Sequence, residues 1–524
     1  MTSGRGSSPL AVLHGSGTLG GIILASIRRF GDRPAIADDT KVWTYRQLGE
    51  AIGRCMAIYR QVGLRRGDGI AMAAANRVEQ VAAQYAALLL GLRYTSLQLM
   101  AARDVHDFVL NDAEIVLLIL EPNLASATKG DFRGSVPSLR TVLSFGPSGH
   151  GDDMIELMAQ VEPDPLTDEA DCDAIAYLFY TGGTTGRPKG VMLGHRSLVM
   201  TTLIQGCDWD LDGDLRFLAA TPTSHASGII LPTVLMRGGY VHLMRGFDPA
   251  GFCQVVEREL INCTFIVPTM LYGLLDSQAH RRFDIASLRT VIYGAAPMCS
   301  ERMREALAAF GPIFVQLYGQ TEVPMCISTL RKADHDPERP ARLGSAGLPC
   351  PSVQVKLFDS EMNEVTDGER GEICVRSPLV MNGYWRRDAA TAAASRGGWH
   401  HTGDVAIRSP EGFLRIVDRT SDLIITGGYN VYPREVEDAL AGHPAVSASA
   451  VIGVPDAKWG EAVTAFVVLR AGASVAPELL QAHVREMRGA IWAPKRVLIV
   501  ETLPITPLGK VDRNRLRAQL EDSK

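Results

Sequence analysis

The chain of 524 residues lacks several features that define common protein classes. The G-x-x-x-x-G-K-[ST] pattern is absent, which excludes the usual P-loop for nucleotide phosphates. The nine cysteines are dispersed without a Cys-x-x-Cys pair, which favours reduced thiols in a cytosol. A net charge of −5 without a block of Lys and Arg gives no electrostatic footprint for nucleic acid. No apolar run approaches about eighteen residues, so we expect a soluble, cytoplasmic protein with no nucleic-acid partner and no membrane span.

The composition is that of a globular protein, with 46% hydrophobic and 21% charged residues, and the length predicts more than one domain. Over the first ~415 residues, helical patterns alternate with short β-branched runs. Predicted helices are Tyr45–Gln61 and Val78–Leu90, and predicted strands are Ile115–Leu120, Cys263–Val267 and Thr290–Tyr293. This alternation predicts an α/β domain in which helices cover mostly parallel sheets.

The pattern changes at a short polar run, Asp418-Arg419-Thr420-Ser421-Asp422. We therefore predict a large N-terminal domain over 1–417, a hinge over 418–422 and a small mobile α+β domain over 423–524. Predicted elements of the small domain are the helices Pro433–Ala441 and Pro477–Arg488 and the strands Ser449–Val454, Val463–Leu469 and Arg496–Val500.

The most informative stretch is a loop rich in glycine and threonine between two apolar runs, Ala174–Phe179 and Val191–Leu193. Glycines let backbone N–H groups point inward, hydroxyls add donors and cations add charge, which together suit a polyphosphate. The candidate phosphate-binding residues are Thr181, Gly182, Gly183, Thr184, Thr185, Gly186 and Lys189. The flanking runs predict a strand–loop–strand hairpin rather than a loop that opens a helix.

Four further segments carry chemistry. Tyr318-Gly319-Gln320-Thr321-Glu322 follows the predicted strand Ile313–Leu317, and ligands of open α/β sheets bind at the carboxyl ends of strands. Glu322 is a candidate Mg²⁺ ligand there, because this cation prefers oxygen. Asp404 could accept hydrogen bonds from ribose hydroxyls, Arg419 offers a guanidinium at the domain joint, and Lys510 offers a charge on a tail loop.

These segments, in this order and at these separations, resemble the adenylate-forming superfamily of acyl-CoA synthetases, carrier-protein adenylation domains and firefly luciferase. The resemblance runs from Thr44-Tyr45-Arg46-Gln47-Leu48 to Pro507-Leu508-Gly509-Lys510. It implies a catalytic set of Lys510, His225, Glu322 and Thr181, with His225 gating the acyl site and Lys510 needed for adenylation. It implies metal contacts at Glu322 and Thr185. It implies nucleotide and CoA contacts at Thr181 to Gly186, Lys189, Gly294, Ala295, Ala296, Tyr318, Gly319, Thr321, Asp404, Arg419, Gly427, Gly428 and Tyr429.

The resemblance also implies the reaction and its cofactors: ATP, Mg²⁺ and coenzyme A. A carboxylate attacks the α-phosphorus of ATP to give an acyl-AMP, and the CoA thiol then attacks the activated carbonyl. Rotation of the small domain would exchange the Lys510 loop for the loop Gly427–Asn430. Two positions depart from the family pattern. Ser421 stands where Asp or Lys is common, which leaves Ser421 or Asp422 as the hinge, and Gly183 stands where serine is frequent.

The acid is expected to be bulky or extended and hydrophobic, because small side chains are expected to leave volume at the acyl site. The small residues are Ala226, Ser227, Gly228, Ala295 and Ala296, and further expected walls are Thr269, Met270 and Leu317. His400 and His401 are interpreted as structural, because neighbours on a strand point opposite ways. Met381-Asn382-Gly383-Tyr384-Trp385 is interpreted as a surface turn with packing.

Free CoA is the favoured acceptor because the chain stops fourteen residues after Lys510. A separate carrier protein, an enzyme of one half-reaction and a non-catalytic nucleotide sensor remain as alternatives. The sequence is also compatible with a homodimer.

Overall fold

The computed structural model describes residues 17–124, 131–181, 188–419, 423–427, 429–456, 459–505 and 511–521. Among them, the helices longer than one turn are Leu19–Phe30, Tyr45–Gln61, Val78–Leu89, Arg103–Asp112, Met154–Gln160, His195–Asp208, Ala226–Met236, Pro249–Glu259, Pro268–Ser277, Ser300–Phe310, Pro340–Leu343, Asp388–Ala394, Pro433–Ala441, Pro477–Arg488 and Arg513–Glu521. None of the helices in these ranges combines the length and apolarity that a bilayer crossing requires.

The largest sheet has six neighbouring parallel strands within the described ranges. Across the sheet they are Phe314–Tyr318, Thr290–Tyr293, Cys263–Ile266, Arg216–Ala219, Tyr240–Leu243 and Pro34–Ala37. Antiparallel strands close its two edges: Ser328–Leu330 with Leu348–Pro349 on one side, and Val42–Thr44 on the other. Because the six central strands run the same way, their carboxyl ends lie along one edge.

A second sheet is also parallel until its last pair of strands. In order it contains Asp152–Asp153, Thr141–Ser144, Ile115–Leu120, Gly69–Ala73, Arg93–Ser96, Ile175–Thr181 and Lys189–Gly194. The last two form an antiparallel hairpin. The helix Val78–Leu89 is buried at every position, and its apolar residues share one core with both sheets. A helix buried on all sides is typical of the middle layer of a large domain.

Two smaller sheets follow. An antiparallel sheet contains Gln354–Phe358, Arg370–Arg376, His400–Arg408 and Leu414–Arg419. The C-terminal sheet contains Tyr429–Val431, Ile424–Thr426, Gly460–Leu469, Val446–Asp456 and Arg496–Ile499. Helices Pro433–Ala441 and Pro477–Arg488 pack their apolar faces on this sheet through Val436, Leu440, Leu480 and Val484.

The α/β fold class with a smaller C-terminal unit is confirmed. The helices Tyr45–Gln61, Pro433–Ala441 and Pro477–Arg488 coincide with their predicted bounds, whereas the predicted Val78–Leu90 ends at Leu89. The strand predicted at 449–454 is the middle of the longer Val446–Asp456. Residues 420–422 lie outside the described ranges, so the domain bounds and the hinge at Ser421 or Asp422 stay predictions.

Candidate active site

Four predicted site segments lie at the same edge of the large sheet, because each follows a parallel strand. They are His225, Thr269 with Met270, Gly294–Ala296 and Tyr318–Glu322. Gly294 packs directly against the neighbouring strand, since a Cβ there would lie 2.5 Å from the Leu317 carbonyl oxygen. The edge is therefore built by close backbone packing between adjacent segments.

The predicted strand–loop–strand hairpin is confirmed. Thr181 ends the first strand and pairs with Lys189, which begins the second. The loop between them falls outside the described residues, including the predicted contacts Gly182, Gly183, Thr184, Thr185 and Gly186.

Lys189 and Glu322 are brought together by a residue that the sequence analysis did not assign to the site. The Tyr384 hydroxyl donates a hydrogen bond to Glu322 Oε1 over 2.8 Å. The Lys189 Nζ atom lies 5.2 Å from the centroid of the same ring. Burial and the adjacent Glu322 carboxylate raise the pKa of the Tyr384 phenol, so it stays a donor at neutral pH. Tyr384 therefore connects a candidate phosphate-binding cation to a candidate metal-binding carboxylate.

Met381, Tyr384 and Trp385 pack against the core as the interpretation of a surface turn with packing expects, and the segment also forms backbone hydrogen bonds to both sides of the candidate site. Trp385 N donates to Gly190 O over 2.8 Å, and Met381 N donates to Glu322 O over 2.8 Å. Trp385 also stacks with a cation, since the Arg93 guanidinium lies 4.4 Å from a ring centroid of Trp385. We call residues 381–385 the clamp.

Asp404 is 4% exposed and accepts two hydrogen bonds on one oxygen. Tyr318 Oη donates to Asp404 Oδ2 over 2.6 Å, and Gln320 Nε2 donates to the same atom over 2.8 Å. Gln320 Nε2 also donates to the Thr402 carbonyl, 2.7 Å away. The segment that carries Glu322 thus holds Asp404 as well. The sequence analysis assigns no role to Gln320, although Gln320 lies within the motif Tyr318–Glu322.

His400 and His401 lie in different surroundings, as their alternation on the strand predicts. His401 Nδ1 lies 2.7 Å from Glu372 Oε2 and 3.4 Å from Cys374 Sγ. His400 is buried, and its Nε2 has no hydrogen-bond partner among the described residues. Burial lowers the pKa of His400, and the Glu322 carboxylate acts in the opposite direction. His400 is thus kept neutral close to the site.

The turn that bears His225 is held by a buried asparagine. Asn76 Nδ2 donates to the carbonyl oxygens of Ala219, Thr221 and Met244, and Asn76 Oδ1 accepts from Thr223 N over 2.7 Å. His225 is the N-cap residue of the helix Ala226–Met236, and its Nδ1 lies 2.8 Å from Ser224 Oγ. Asn76 lies about 150 positions earlier in the chain, so no local signal reveals this role.

The expectation that Gly228 leaves volume for the acid is wrong. A Cβ at Gly228 would lie 1.9 Å from the Thr223 carbonyl oxygen, so the missing side chain is replaced by backbone. Ser227 is likewise buried, with its hydroxyl 2.6 Å from Thr221 Oγ1. Ala295 is exposed, and Ala296 is half-buried at the sheet edge.

Other predicted residues are positioned as follows. Thr321 is half-buried beside Glu322, and a Cβ at Gly319 would lie 2.4 Å from Met325 N. Gly427 N donates to Trp459 O over 2.7 Å, and Tyr429 is 57% exposed. Strand pairing sets the backbone of Arg419 opposite Asp404. Gly428 and Lys510 lie outside the described ranges, and so does the side chain of Arg419.

Comparison with known proteins gives a consistent result over nearly the whole chain. A model of the AMP-binding enzyme family matches residues 24–385, and a model of the AMP-binding enzyme C-terminal domain matches residues 435–510. The medium/long-chain-fatty-acid–CoA ligase FadD8 of Mycobacterium tuberculosis is 40% identical over 516 residues, which cover 95% of this chain and 90% of the relative. Feruloyl-CoA synthase of an Amycolatopsis species is 36% identical over 477 residues, covering 90% and 93% of the two chains.

A solved structure agrees with these relatives. The amide bond synthetase McbA from Marinactinospora thermotolerans matches with a TM-score of 0.87 and 33% identity, covering 96% of this chain and 99% of McbA. The chain therefore belongs to the AMP-binding enzyme family, on the acyl-CoA ligase branch of the adenylate-forming superfamily.

Proposed function

We propose that this enzyme activates a carboxylic acid with ATP to an acyl-AMP and transfers the acyl group to the thiol of coenzyme A. The relatives FadD8 and feruloyl-CoA synthase are both named for forming CoA thioesters. The single observation that supports this most is the double role of the segment Tyr318–Glu322. It hydrogen-bonds Asp404 through Tyr318 and Gln320, and it presents Glu322 to the clamp beside Lys189.

In the first step, a carboxylate oxygen bonds to the α-phosphorus while the bond to pyrophosphate breaks. Negative charge accumulates around the phosphates, so fixed cations and donors stabilise this transition state. Lys189 and the hairpin N–H groups would hold the departing pyrophosphate, and Lys510 would bring a second cation.

Glu322 offers a carboxylate oxygen, the ligand that Mg²⁺ prefers, so the residue fits a metal contact together with Thr185. Mg²⁺, when bound, would neutralise charge on the phosphate oxygens. Asp404 would accept hydrogen bonds from the ribose hydroxyls of ATP. Tyr318 and Gln320 already bind Asp404 Oδ2, so the carboxylate is oriented before the nucleotide arrives.

In the second step, the CoA thiolate bonds to the acyl carbon while the bond from that carbon to the bridging phosphate oxygen breaks. AMP leaves with that oxygen. We propose that rotation of the C-terminal unit about 418–422 replaces Lys510 by the loop Gly427–Asn430 between the two steps. The exposed side chain of Tyr429, which begins a strand of the C-terminal sheet, supports this, because it can enter a second arrangement without leaving a core.

For the acid, we propose a bulky or extended hydrophobic carboxylate. Gly228 leaves no volume, so the support comes from the small side chains of Ala295 and Ala296. The half-buried Met270 lies at the same edge of the large sheet. FadD8 is named for medium and long chains, and the Amycolatopsis enzyme for feruloyl-CoA. Both names describe acids larger than acetate.

The test is a panel of acids, from acetate to long-chain and aromatic ones, with ATP, Mg²⁺ and CoA, read by mass spectrometry of the thioesters. Thioesters of the larger acids are expected. A product only when an amine replaces CoA would favour an amide bond synthetase like McbA. Faster turnover of acetate than of every larger acid would contradict the proposed substrate class.

Lys510→Ala separates the half-reactions. Acid-dependent exchange of pyrophosphate into ATP should fall by roughly 10²–10³, the loss expected for one transition-state donor, whereas thioester formation from supplied acyl-AMP should be largely retained. The control is Lys356→Ala, which removes an exposed lysine that pairs with Glu364 on the antiparallel sheet. Equal damage to both half-reactions would contradict the two-arrangement mechanism.

A further inference from the structure

Tyr384 stands between two groups of opposite charge that do not pair directly. Lys189 Nζ lies over the ring face, 5.2 Å from its centroid, and Glu322 Oε1 accepts from the hydroxyl at the ring edge over 2.8 Å. Within the described ranges, the side-chain contacts of Lys189 and Glu322 are to Tyr384, and the two residues form no ion pair with each other. A direct pair would neutralise both charges, and neither would then be presented to a ligand.

We infer that Tyr384 is a positioning residue of the adenylation step, a neutral spacer that holds Glu322 and Lys189 apart and aimed at the same Mg²⁺–nucleotide complex. This inference rests on the proposed function, because it takes Glu322 as a metal contact and Lys189 as a phosphate contact. The inference also gives the clamp a role in adenylation, because the clamp carries Tyr384.

The hydrogen bond fixes which carboxylate oxygen is available. The hydroxyl occupies Glu322 Oε1, and no described residue donates a hydrogen bond to Oε2. The second oxygen therefore faces an incoming cation in a fixed orientation. Partners that orient a metal-binding carboxylate in this way typically contribute about 10–100-fold to metal affinity.

The backbone of the clamp keeps the spacer in place from both sides. Trp385 N binds Gly190 O on the hairpin, and Met381 N binds Glu322 O on the other segment. Tyr384 N donates to Thr391 Oγ1 over 2.9 Å, which anchors the residue to the helix Asp388–Ala394. A side chain fixed this firmly can set a distance between two other groups.

The test measures ATP binding by calorimetry, without any acid, once with excess Mg²⁺ and once with EDTA. Tyr384→Phe removes only the hydroxyl, so ATP affinity should fall about tenfold with Mg²⁺ and by less than about twofold in EDTA. Tyr384→Leu also removes the ring under Lys189, so affinity in EDTA should fall by a further roughly threefold, the size of an exposed cation–π contact.

The matched control is Tyr240→Phe. The Tyr240 hydroxyl binds Glu259 over 3.1 Å and its ring lies 4.4 Å from the Arg216 guanidinium, as at Tyr384, but Arg216 also pairs directly with Glu259 over 3.7 Å, so Tyr240 has the two contacts without being a spacer. Tyr240 begins its strand and therefore lies at the opposite edge of the large sheet. Tyr240→Phe should therefore bind ATP with wild-type affinity, both with excess Mg²⁺ and with EDTA.

A loss in Tyr384→Phe that is equal with and without Mg²⁺, or no loss at all, would overturn the inference. The variant should also retain wild-type thermal unfolding to within a few degrees, so a folding defect is recognisable. The binding assay contains no acid, so its result does not depend on thioester formation. If wild-type enzyme binds Mg²⁺–ATP in this assay but forms no thioester with any acid of the panel, only the proposed function is contradicted.

Discussion

Asn76 offers the sharpest prediction about the turn that carries His225, which is proposed to border the acid site. Its 5% exposed side chain has five hydrogen-bond partners: its two amide hydrogens are shared among the carbonyl oxygens of Ala219, Thr221 and Met244, and its Oδ1 accepts from the N–H and hydroxyl of Thr223. Asn76→Ala removes the partner of all five groups at once. The cavity it leaves lies directly under the turn that carries His225.

The expected loss in the free energy of unfolding follows from the buried polar groups that Asn76→Ala leaves without a partner. A buried donor or acceptor that loses its partner costs about 1–3 kcal/mol. The Ala219 carbonyl keeps a second bond, from Met244 N over 3.2 Å, so it is not orphaned. The Thr223 N–H and the Thr221 and Met244 carbonyls carry most of the cost, and we expect a loss of about 4 kcal/mol before relaxation. A turn that shifts by about 1 Å to recover these bonds misplaces His225, which can cost about 100-fold in rate.

The assay combines stability with kinetics. Denaturant unfolding should show the lost stability, and kcat/KM for the acid should fall about 10–100-fold while the ATP dissociation constant changes by less than about twofold. The control is Asn111→Ala, whose amide also donates to two carbonyls, those of Asp107 and Ser135, but at the surface. That variant should lose less than about 1 kcal/mol, because water replaces the lost partners.

The reasoning would be refuted if Asn76→Ala were as stable as Asn111→Ala and turned over the acid like wild type. It would also fail if the ATP dissociation constant rose as strongly as kcat/KM for the acid fell.

Two further predictions concern the burial of His335 and of Gly228. Burial lowers the pKa of His335 to about 4, so between pH ~6.5 and 4 the unfolded chain binds a proton that the native state refuses. Stability should therefore fall by about 2 kcal/mol between pH 7 and pH 5, and denaturant midpoints of His335→Gln should be less sensitive to pH than those of wild type. Gly228→Ala places a Cβ 1.9 Å from Thr223 O, so acid turnover should collapse, whereas Gly206→Ala, whose Cβ would lie 3.5 Å from Met236 Cε, should be neutral or stabilising in thermal unfolding. Equal behaviour of the two glycine variants would contradict the packing argument.

The sequence predicts the elements where local pattern and tertiary structure agree. Tyr45–Gln61 is amphipathic, and a capping box formed by Thr44 and Gln47 begins it, so its bounds follow from nearby residues. The strand Val446–Asp456 extends beyond its apolar middle, because Pro455 and Asp456 pair with Glu461 and Gly460 of the neighbouring strand. Pairing with a partner strand sets such ends, and local hydrophobicity does not reveal them.

The candidate site likewise contains residues that a local motif reveals and residues that only tertiary contacts reveal. Glycines and hydroxyls single out the hairpin as a proposed phosphate site, because inward-pointing N–H groups and hydroxyls suit a polyphosphate. Tyr384 and Asn76 act through contacts to residues 62 and more than 140 positions away, which no local motif encodes. The expectation at Gly228 fails because a glycine in a sequence fits an open pocket and a close backbone approach equally well. Only the Thr223 carbonyl distinguishes the two.

The most direct test of the central claim follows the oxygen atoms of the acid. If the acid carboxylate attacks the α-phosphorus, an acid labelled with ¹⁸O in both carboxylate oxygens should leave one label in AMP and one in the thioester. The pyrophosphate should carry none. Mass spectrometry of the products from wild-type enzyme, ATP, Mg²⁺ and CoA measures this in one experiment. Unlabelled AMP, or the release of ADP and phosphate instead, would contradict an acyl-AMP intermediate.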